Sequence, residues 1–575
     1  MIENDQLSLP RINKKKVKTG CRTCKVRHVK CDEGRPACRR CVSTGRKCDG
    51  YGIWGGGGTV CHNTGQSRTV ALPKSNNPGS LERDISTHFS KMSAQQVSCF
   101  SWFRHRTYAK LPLPYTTPFW HTLVLQACVA EPAILHAALA LGSAHQKETL
   151  RSDEHEGPLA VLGAQQQFML REYSQAIRGL QPHFSNQDKR SVHVALITCA
   201  LFTFFENILG RYVAAKAHLH CGLRLLAETH APVGQSEDGH AVTTHHRGYV
   251  DDWIIEVFMR LHIQAALLGQ GLASLYSRLP VFPLGPIPVA FQSTQQAGNH
   301  LDRLLLDILH FAEQCCSNDK ITNSVPPAQM LSCKQILQGE LDLWLAAYHS
   351  TILEAFPPIE RFYMNMPRAY HTMAIIILNA CPWPACETVF DLFTAEFLVL
   401  IKQLVEIWKA HVARPVWRID SQIPPESPLN MSHSVGDKGW LPLLYFVAVK
   451  CRVHRIRHQA CRLLAKTVHK EGTWDASLTV ALAREIIRIE EGDFYQEFSG
   501  HGDFNVTDMP TEQDLSLPIL PDSHRLYNIQ VQLPENAGGV LTLEYDTNQN
   551  DAKGFERRKR WYDLQTRCWA DVMSR

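Results

Sequence analysis

The stretch CRTCKVRHVKCDEGRPACRRCVSTGRKC, residues 21–48, contains six of the 19 cysteines of the chain. Its two ends repeat one pattern, because CRTCKVRHVKC and CRRCVSTGRKC have the same length and the same cysteine offsets. The full spacing is C-x2-C-x6-C-x6-C-x2-C-x6-C. A doubled pattern of this kind predicts a small unit with approximate twofold symmetry.

These six cysteines are candidate metal ligands: Cys21, Cys24, Cys31, Cys38, Cys41 and Cys48. Structural zinc binds four ligands in a tetrahedron, and thiolate sulfur suits it. Two zinc ions need eight ligand positions, which six thiolates can fill only if two of them bridge both ions. The pattern therefore predicts two Zn²⁺ in a binuclear cluster. A disulfide knot and a coincidental spacing are the alternatives, and the doubled spacing without a secretory signal disfavours both.

Positive charge is concentrated in the same region. Between Arg11 and Cys48 there are fourteen Lys or Arg against two acids, a net charge of +12, whereas the whole chain carries only +5. A basic head on a mildly acidic body indicates a polyanionic partner for the head.

Residues 19–51, TGCRTCKVRHVKCDEGRPACRRCVSTGRKCDGY, resemble the fungal binuclear zinc cluster (Zn2Cys6) transcription factors. The resemblance implies that the first and fourth cysteines, Cys21 and Cys38, bridge the two ions. Each remaining pair would complete one site, Cys24 with Cys31 and Cys41 with Cys48. It also implies a nuclear regulator of RNA polymerase II genes that binds double-stranded DNA at CGG-type triplets. Transcription coregulators are further candidate partners.

The run KVRHVK, residues 25–30, is compatible with a short helix that enters the major groove. The resemblance implies that Arg27 and His28 reach the bases there. Arginine presents a two-pronged donor to guanine, whereas His28 replaces the lysine common in the family and has a pH-dependent charge. We assign the neighbouring cations to DNA phosphates: Arg22, Lys25 and Lys30. The second repeat is less suited to contact bases, because VSTG stands where the first repeat has basic residues.

Four lysines precede the cluster and are candidates for a nuclear import signal, a DNA-backbone arm or both: Lys14, Lys15, Lys16 and Lys18. A disordered basic tail is compatible with either role. No apolar heptad repeat follows Cys48. DNA binding as a monomer and a homodimer formed through the helical body therefore both stay open.

The chain divides by composition into four predicted parts: a disordered tail over 1–13, the Zn2Cys6 DNA-binding domain over 14–50, a flexible linker over 51–92 and a helical regulatory domain over 93–575. The linker is rich in Gly, Ser, Asn and Thr. Residues 95–545 also resemble, loosely, the helical regulatory region of the same family. The predicted fold class is mainly α, with a small N-terminal cluster and a C-terminal β-hairpin.

Periodicity places several elements in the body. Trp120–His145 is rich in Ala and Leu, a helix begins at Asp475 and stops at Gly492, and another runs from Pro442 toward Leu464. One apolar stripe consists of Tyr212, Ala215, Leu219, Leu223 and Leu226. The alternating residues of the hairpin are Ile529, Val531 and Leu533, then Leu541, Leu543 and Tyr545.

Other classes of protein find less support. The sequence has no G-x-S-x-G, P-loop, H-E-x-x-H or dinucleotide motif, so we predict no enzyme. Histidine pairs such as His218 with His220, or His245 with His246, have no third ligand at metal spacing. The longest apolar run, 192–205, predicts a buried helix and no membrane span. The acidic, aromatic stretch between Arg488 and Arg525 is interpreted as a surface segment, with an activation segment as the alternative. A zinc-binding scaffold without DNA readout is the main alternative function.

Overall fold

The computed structural model describes residues 23–24, 27, 29–32, 38–46, 92–107, 119–152, 159–184, 188–230, 250–269, 284–317, 328–381, 387–412, 438–467, 469–498, 504–536, 538–548 and 555–571. The chain forms two compact units, Met1–Ser75 and Asn76–Arg575. In the first unit, the described residues include the short helix α1 (Arg39–Val42). The predicted linker lies outside the described residues except for its last position, Met92.

The second unit is mainly α-helical, as predicted. Its helices are α2 (Ala94–Trp102), α3 (Leu125–Ala130), α4 (Pro132–Ser152), α5 (Leu159–Phe184), α6 (Lys189–Ile208), α7 (Tyr212–His230), α8 (Asp252–Leu267), α9 (Thr294–Ser317), α10 (Ala328–His349), α11 (Pro358–Ala380), α12 (Thr394–Val412), α13 (Leu441–Lys450), α14 (His454–Ala465), α15 (Ala476–Glu491) and α16 (Glu512–Leu515). Two π-helical turns, Phe103–Thr107 and Phe119–Val124, and short 3-10 turns join them.

Helix α6 packs against α4 and α7. Sixteen of its residues are buried. It is long and apolar enough to cross a membrane, but 89% of its most apolar window is buried inside the fold, as in the core helix of a globular domain. The five-residue stripe predicted on α7 is also buried, which fixes the face that α7 presents to the core.

Two predicted helices are each divided in the structure. The Trp120–His145 segment is interrupted at Glu131, where extended backbone precedes Pro132 at the start of α4. The helix predicted from Pro442 toward Leu464 is two helices, because residues 451–453 are extended between α13 and α14. At this break Arg452 is fully buried between the carboxylates of Glu387 and Glu490, each 2.8 Å away.

The predicted start of α15 is confirmed. The Asp475 carboxylate accepts hydrogen bonds from the backbone N–H groups of Ser477 and Leu478, and Gly492 follows the helix with φ of 49°. Strands β1 (Lys470–Glu471) and β2 (Trp474–Asp475) form a small ribbon just before this helix.

The predicted hairpin forms two strands of a larger antiparallel sheet, ordered β3-β4-β5-β6. Its strands are β3 (Leu526–Gln532), β4 (Val540–Asn548), β5 (Phe555–Asp563) and β6 (Cys568–Asp571). The sequence FERRKRWYD of β5 does not alternate apolar residues, so periodicity does not predict this strand. Cross-strand ion pairs stabilise it instead, with Lys559 at 2.7 Å from Glu544 and Arg557 at 2.9 Å from Asp546.

The described part of the acidic segment packs onto α14. The Phe504 ring lies 3.3 Å from the guanidinium carbon of Arg455 and 3.8 Å from that of Arg462. Thr511 and Asp514 form a capping box at α16. This packing favours the interpretation as a surface segment of the regulatory unit over an unfolded activation segment.

Candidate metal centre and nucleic-acid interface

Three of the predicted ligands converge in the first unit. The side chains of Cys24, Cys38 and Cys41 are fully buried, and their sulfurs lie within 4.8 Å of one another. The Cys24 sulfur is 3.6 Å from that of Cys38 and 3.9 Å from that of Cys41. Tetrahedral zinc with bonds of about 2.3 Å to sulfur places its ligand sulfurs about 3.8 Å apart. The observed separations therefore fit thiolates around zinc.

Cys38 belongs to a second group of potential ligands as well. Its sulfur lies within 4.8 Å of the Cys31 sulfur and of an Asp32 carboxylate oxygen. Cys31 itself is partly buried against the three-cysteine cluster. One sulfur shared by two ligand groups is the arrangement that a bridging thiolate requires.

Helix α1 is held in place by Asp32, the residue that follows the first repeat. The two carboxylate oxygens of Asp32 accept hydrogen bonds from the backbone N–H groups of Arg39 and Arg40, at 3.0 and 3.1 Å. These N–H groups are in the first turn of α1, where a negative charge is favourable. The helix ends early because Gly45 adopts φ of 65° and the Arg46 N–H bonds back to the Cys41 carbonyl at 2.9 Å.

The side chain of Arg27 also connects the two repeats. Its Nη1 donates to Thr44 Oγ1 at 3.2 Å, and that hydroxyl donates to the Arg40 carbonyl at 2.8 Å. The Arg27 and Val29 N–H groups bond back to the Thr23 and Cys24 carbonyls. The guanidinium is therefore held beside α1 on a short helical turn.

The other predicted site residues are distributed as follows. Lys30 is exposed, three residues after Arg27. The remaining predicted ligands, DNA contacts and import lysines lie outside the described residues: Cys21, Cys48, Arg22, Lys25, His28, Lys14, Lys15, Lys16 and Lys18.

Two residues of this site have no role that the sequence predicts. Asp32 caps a helix that starts seven positions later, so no local capping pattern announces it. Thr44 enters the sequence pattern only as a replacement of a basic position. The roles of Asp32 and Thr44 cannot be predicted from the cysteine spacing, because both contacts depend on how the two repeats fold against each other.

Among the predicted histidine pairs, His218 is half-buried and packs against core residues. Its Nε2 lies 3.1 Å from the Tyr173 hydroxyl, and its ring packs at 5.1 Å from that of Phe202. Burial lowers the pKa of His218 below its ordinary value, which keeps the ring neutral. The pair His245 and His246 lies outside the described residues.

Comparison with known proteins gives matches to both parts of the chain. The model of the fungal specific transcription factor domain matches residues 103–412, and that of the fungal Zn(2)-Cys(6) binuclear cluster domain matches residues 19–53. The first match alone covers more than half of the chain. The cluster match implies that residues 19–53 bind zinc.

Several curated proteins are similar over long stretches. The aspercryptin biosynthesis cluster-specific transcription regulator atnN of Emericella nidulans is 25% identical over 555 residues, covering 82% of this chain and 87% of that protein. The transcription regulator lscL of Purpureocillium lilacinum is 26% identical over 243 residues, or 41% of this chain and 55% of that protein. The Zn(2)-C6 fungal-type transcription factor afumD of Aspergillus fumigatus is 30% identical over 136 residues, or 24% of this chain and 34% of that protein. No solved structure matches the chain significantly.

Proposed function

Because the chain belongs to the fungal-specific transcription factors with an N-terminal Zn(2)-Cys(6) binuclear cluster, we propose that it is a zinc-dependent, sequence-specific DNA-binding regulator of RNA polymerase II genes. It acts in the nucleus, and Lys14, Lys15, Lys16 and Lys18 serve as its import signal and as an arm along the DNA backbone.

The observation that carries the proposal is the shared position of Cys38. Its sulfur lies in both potential ligand groups, with Cys24 and Cys41 on one side and Cys31 on the other. This supports Cys38 as a bridging ligand in a cluster of two zinc ions, and the family resemblance implies Cys21 as the second bridging ligand. The resemblance assigns Cys24 and Cys31 to one site and Cys41 and Cys48 to the other, whereas the described residues group Cys24 with Cys41 beside Cys38. The metal ions cross-link this short segment, whose hydrophobic core is too small to stabilise its fold.

Base recognition is assigned to Arg27 and His28, at the tip of the first repeat. A guanidinium can donate two hydrogen bonds to O6 and N7 of guanine, so DNA sites built on CGG-type triplets suit Arg27. The hydrogen bond to Thr44 holds the Arg27 side chain in one direction before DNA arrives. Phosphates are bound by cations that carry no sequence information: Arg22, Lys25 and Lys30.

The helical unit provides surfaces for coregulators and for a second copy of the chain. On α10 the side chains of Ile336 and Leu343 are 62% and 61% exposed, two helical turns apart on one face. We assign this face to a homodimer contact. An I336D/L343D double variant should convert a dimer to a monomer in light scattering of the full chain, whereas a monomeric wild type would remove this assignment.

Selection of bound sequences from a random pool of duplex DNA tests the function. We expect the full chain to enrich a site containing CGG, and the Cys38→Ser variant to enrich nothing. A chain that binds zinc but enriches no sequence would instead be a zinc-binding interaction scaffold. A matched Cys568→Ser variant, at an exposed cysteine of the second unit, should enrich the same site as the wild type.

A further inference from the structure

Two histidines of the regulatory unit face one carboxylate on a neighbouring helix. His454 and His458 are four residues apart on α14, so their side chains lie on the same face. Glu491 is the last residue of α15. His454 Nδ1 is 3.2 Å and His458 Nε2 is 2.9 Å from the same oxygen, Glu491 Oε2.

The three ligand atoms are spaced as a metal site requires. All of them lie within 4.8 Å of one another. A tetrahedral ion with bonds of about 2.0–2.1 Å to nitrogen and oxygen places its ligand atoms about 3.4 Å apart. The two observed distances are slightly shorter, so a small cation can be accommodated by a slight opening of the group.

Both imidazoles direct a nitrogen at the Glu491 carboxylate. His458 Nε2 is within hydrogen-bonding geometry of Glu491. His454 Nδ1 is buried and lies 3.2 Å from the same carboxylate oxygen, so both rings point a nitrogen at Glu491. Two imidazole nitrogens turned toward one carboxylate oxygen are suited, when deprotonated, to donate their lone pairs to an ion held between the three groups.

The surroundings hold the carboxylate and leave the site accessible. The second oxygen of Glu491 is 3.5 Å from Arg457, whose charge is balanced by Glu490 at 2.5 Å. The side chains of His454 and His458 are 18% and 34% exposed, so both rings border solvent although His454 Nδ1 itself is buried.

We propose that His454, His458 and Glu491 bind one divalent transition-metal ion of the zinc class, separate from the cysteine cluster. Two imidazoles and one carboxylate are a ligand set that zinc accepts, with a fourth position left for water. The ion links α14 to the end of α15, where the chain turns into the segment that packs back on α14. It therefore stabilises this part of the regulatory unit.

Metal analysis of the full chain, dialysed against micromolar zinc, tests the site. We expect the wild type to hold one more zinc per chain than the His458→Gln and Glu491→Gln variants. His220→Gln, a matched change at an exposed histidine of α7, should hold as much zinc as the wild type. The wild type should also unfold at a higher temperature with zinc than without, and the two site variants should lose most of that difference.

Equal zinc content in the wild type and in both site variants, each folded by circular dichroism, would overturn the proposal. Glu491→Gln keeps the shape of the side chain and is therefore expected to fold. If His458→Gln fails to fold, Glu491→Gln still tests the site. Cys38→Ser should lose cluster zinc but retain the ion at His454 and His458. Failure of this site and failure of the DNA-binding cluster are thus distinguishable.

Discussion

Arg27 Nη1 donates a hydrogen bond to Thr44 Oγ1 at 3.2 Å, and this contact joins the first cysteine repeat to the second. In the second repeat, VSTG replaces the basic residues found at the corresponding positions of the first, yet this segment supplies the hydroxyl that holds Arg27. The two repeats thus have different roles: one carries the predicted base contact, and the other positions it.

Thr44→Val should weaken binding to the selected DNA site about threefold. The change preserves the shape of the side chain but removes its hydrogen bond to Arg27, which at an exposed position is worth roughly 1 kcal/mol or less. The Arg27 side chain must then lose its freedom when DNA binds, and this lowers the affinity. Fluorescence anisotropy of the full chain measures it. Ser43→Ala, at the neighbouring position, should leave the affinity unchanged, and an unchanged affinity for Thr44→Val would show that Thr44 does not position Arg27.

Asp32→Ala should make the cluster release zinc more easily. The variant loses the acceptor of the Arg39 and Arg40 N–H groups, and loss of such a cap costs about 1 kcal/mol. The chelator concentration that removes half of the cluster zinc should therefore fall about fivefold. Glu33→Ala removes the same charge one residue later, and an equal fall in that variant would mean that net charge, not capping, is responsible.

Much of this arrangement could be predicted from the sequence because it is periodic or local. The cysteine spacing, the stripe of α7 and the Asp475 cap are read directly from neighbouring positions. The break between α13 and α14 could not be predicted from the sequence, because it depends on a contact between Arg452 and Glu490, which is 38 residues away. The pairing of Asp32 with α1, and of Glu491 with two histidines of α14, is likewise a product of tertiary packing.

Glu490→Gln should destabilise the regulatory unit by about 3 kcal/mol, because both guanidiniums beside it lose the buried charge that compensates them. Burial raises the pKa of Glu490, but the charges of Arg452 and Arg457 outweigh burial and lower it below its ordinary value. The carboxylate is therefore ionised in the folded chain. Urea unfolding measures the change.

The matched control for this change is Glu228→Gln. It removes an exposed ion pair with Arg224 at 3.2 Å, and we expect less than about 0.5 kcal/mol of destabilisation. Similar losses in the two variants would mean that the buried network contributes no more than a surface pair.

The stability of the fold should fall as the pH drops from about 6.5 to about 4. Burial, with a smaller contribution from His310, lowers the pKa of His262 to about 4, whereas in the unfolded chain it is about 6.5. In this interval the unfolded state binds a proton that the folded state does not, so protonation favours unfolding. A histidine that is neutral in the folded chain and protonated in the unfolded chain lowers the free energy of unfolding by up to about 1.4 kcal/mol per pH unit.

His262→Leu should therefore reduce the pH dependence of the free energy of unfolding by close to one proton, as measured by urea titrations at about pH 4.5 and 6.5, within the interval between the two pKa values. His220→Leu, at an exposed position, should leave it unchanged. A dependence in His262→Leu equal to that of the wild type would contradict the assignment of a neutral buried His262.

The central claim, DNA recognition by the zinc cluster, is tested most directly by comparing Arg27→Ala with the wild type on the selected site and on a scrambled duplex at one salt concentration. We predict that the variant keeps its cluster zinc and its affinity for the scrambled duplex but loses roughly 5- to 150-fold in affinity for the selected site, the equivalent of about 1–3 kcal/mol. Equal affinity for the two duplexes, in the wild type as in the variant, would contradict the claim.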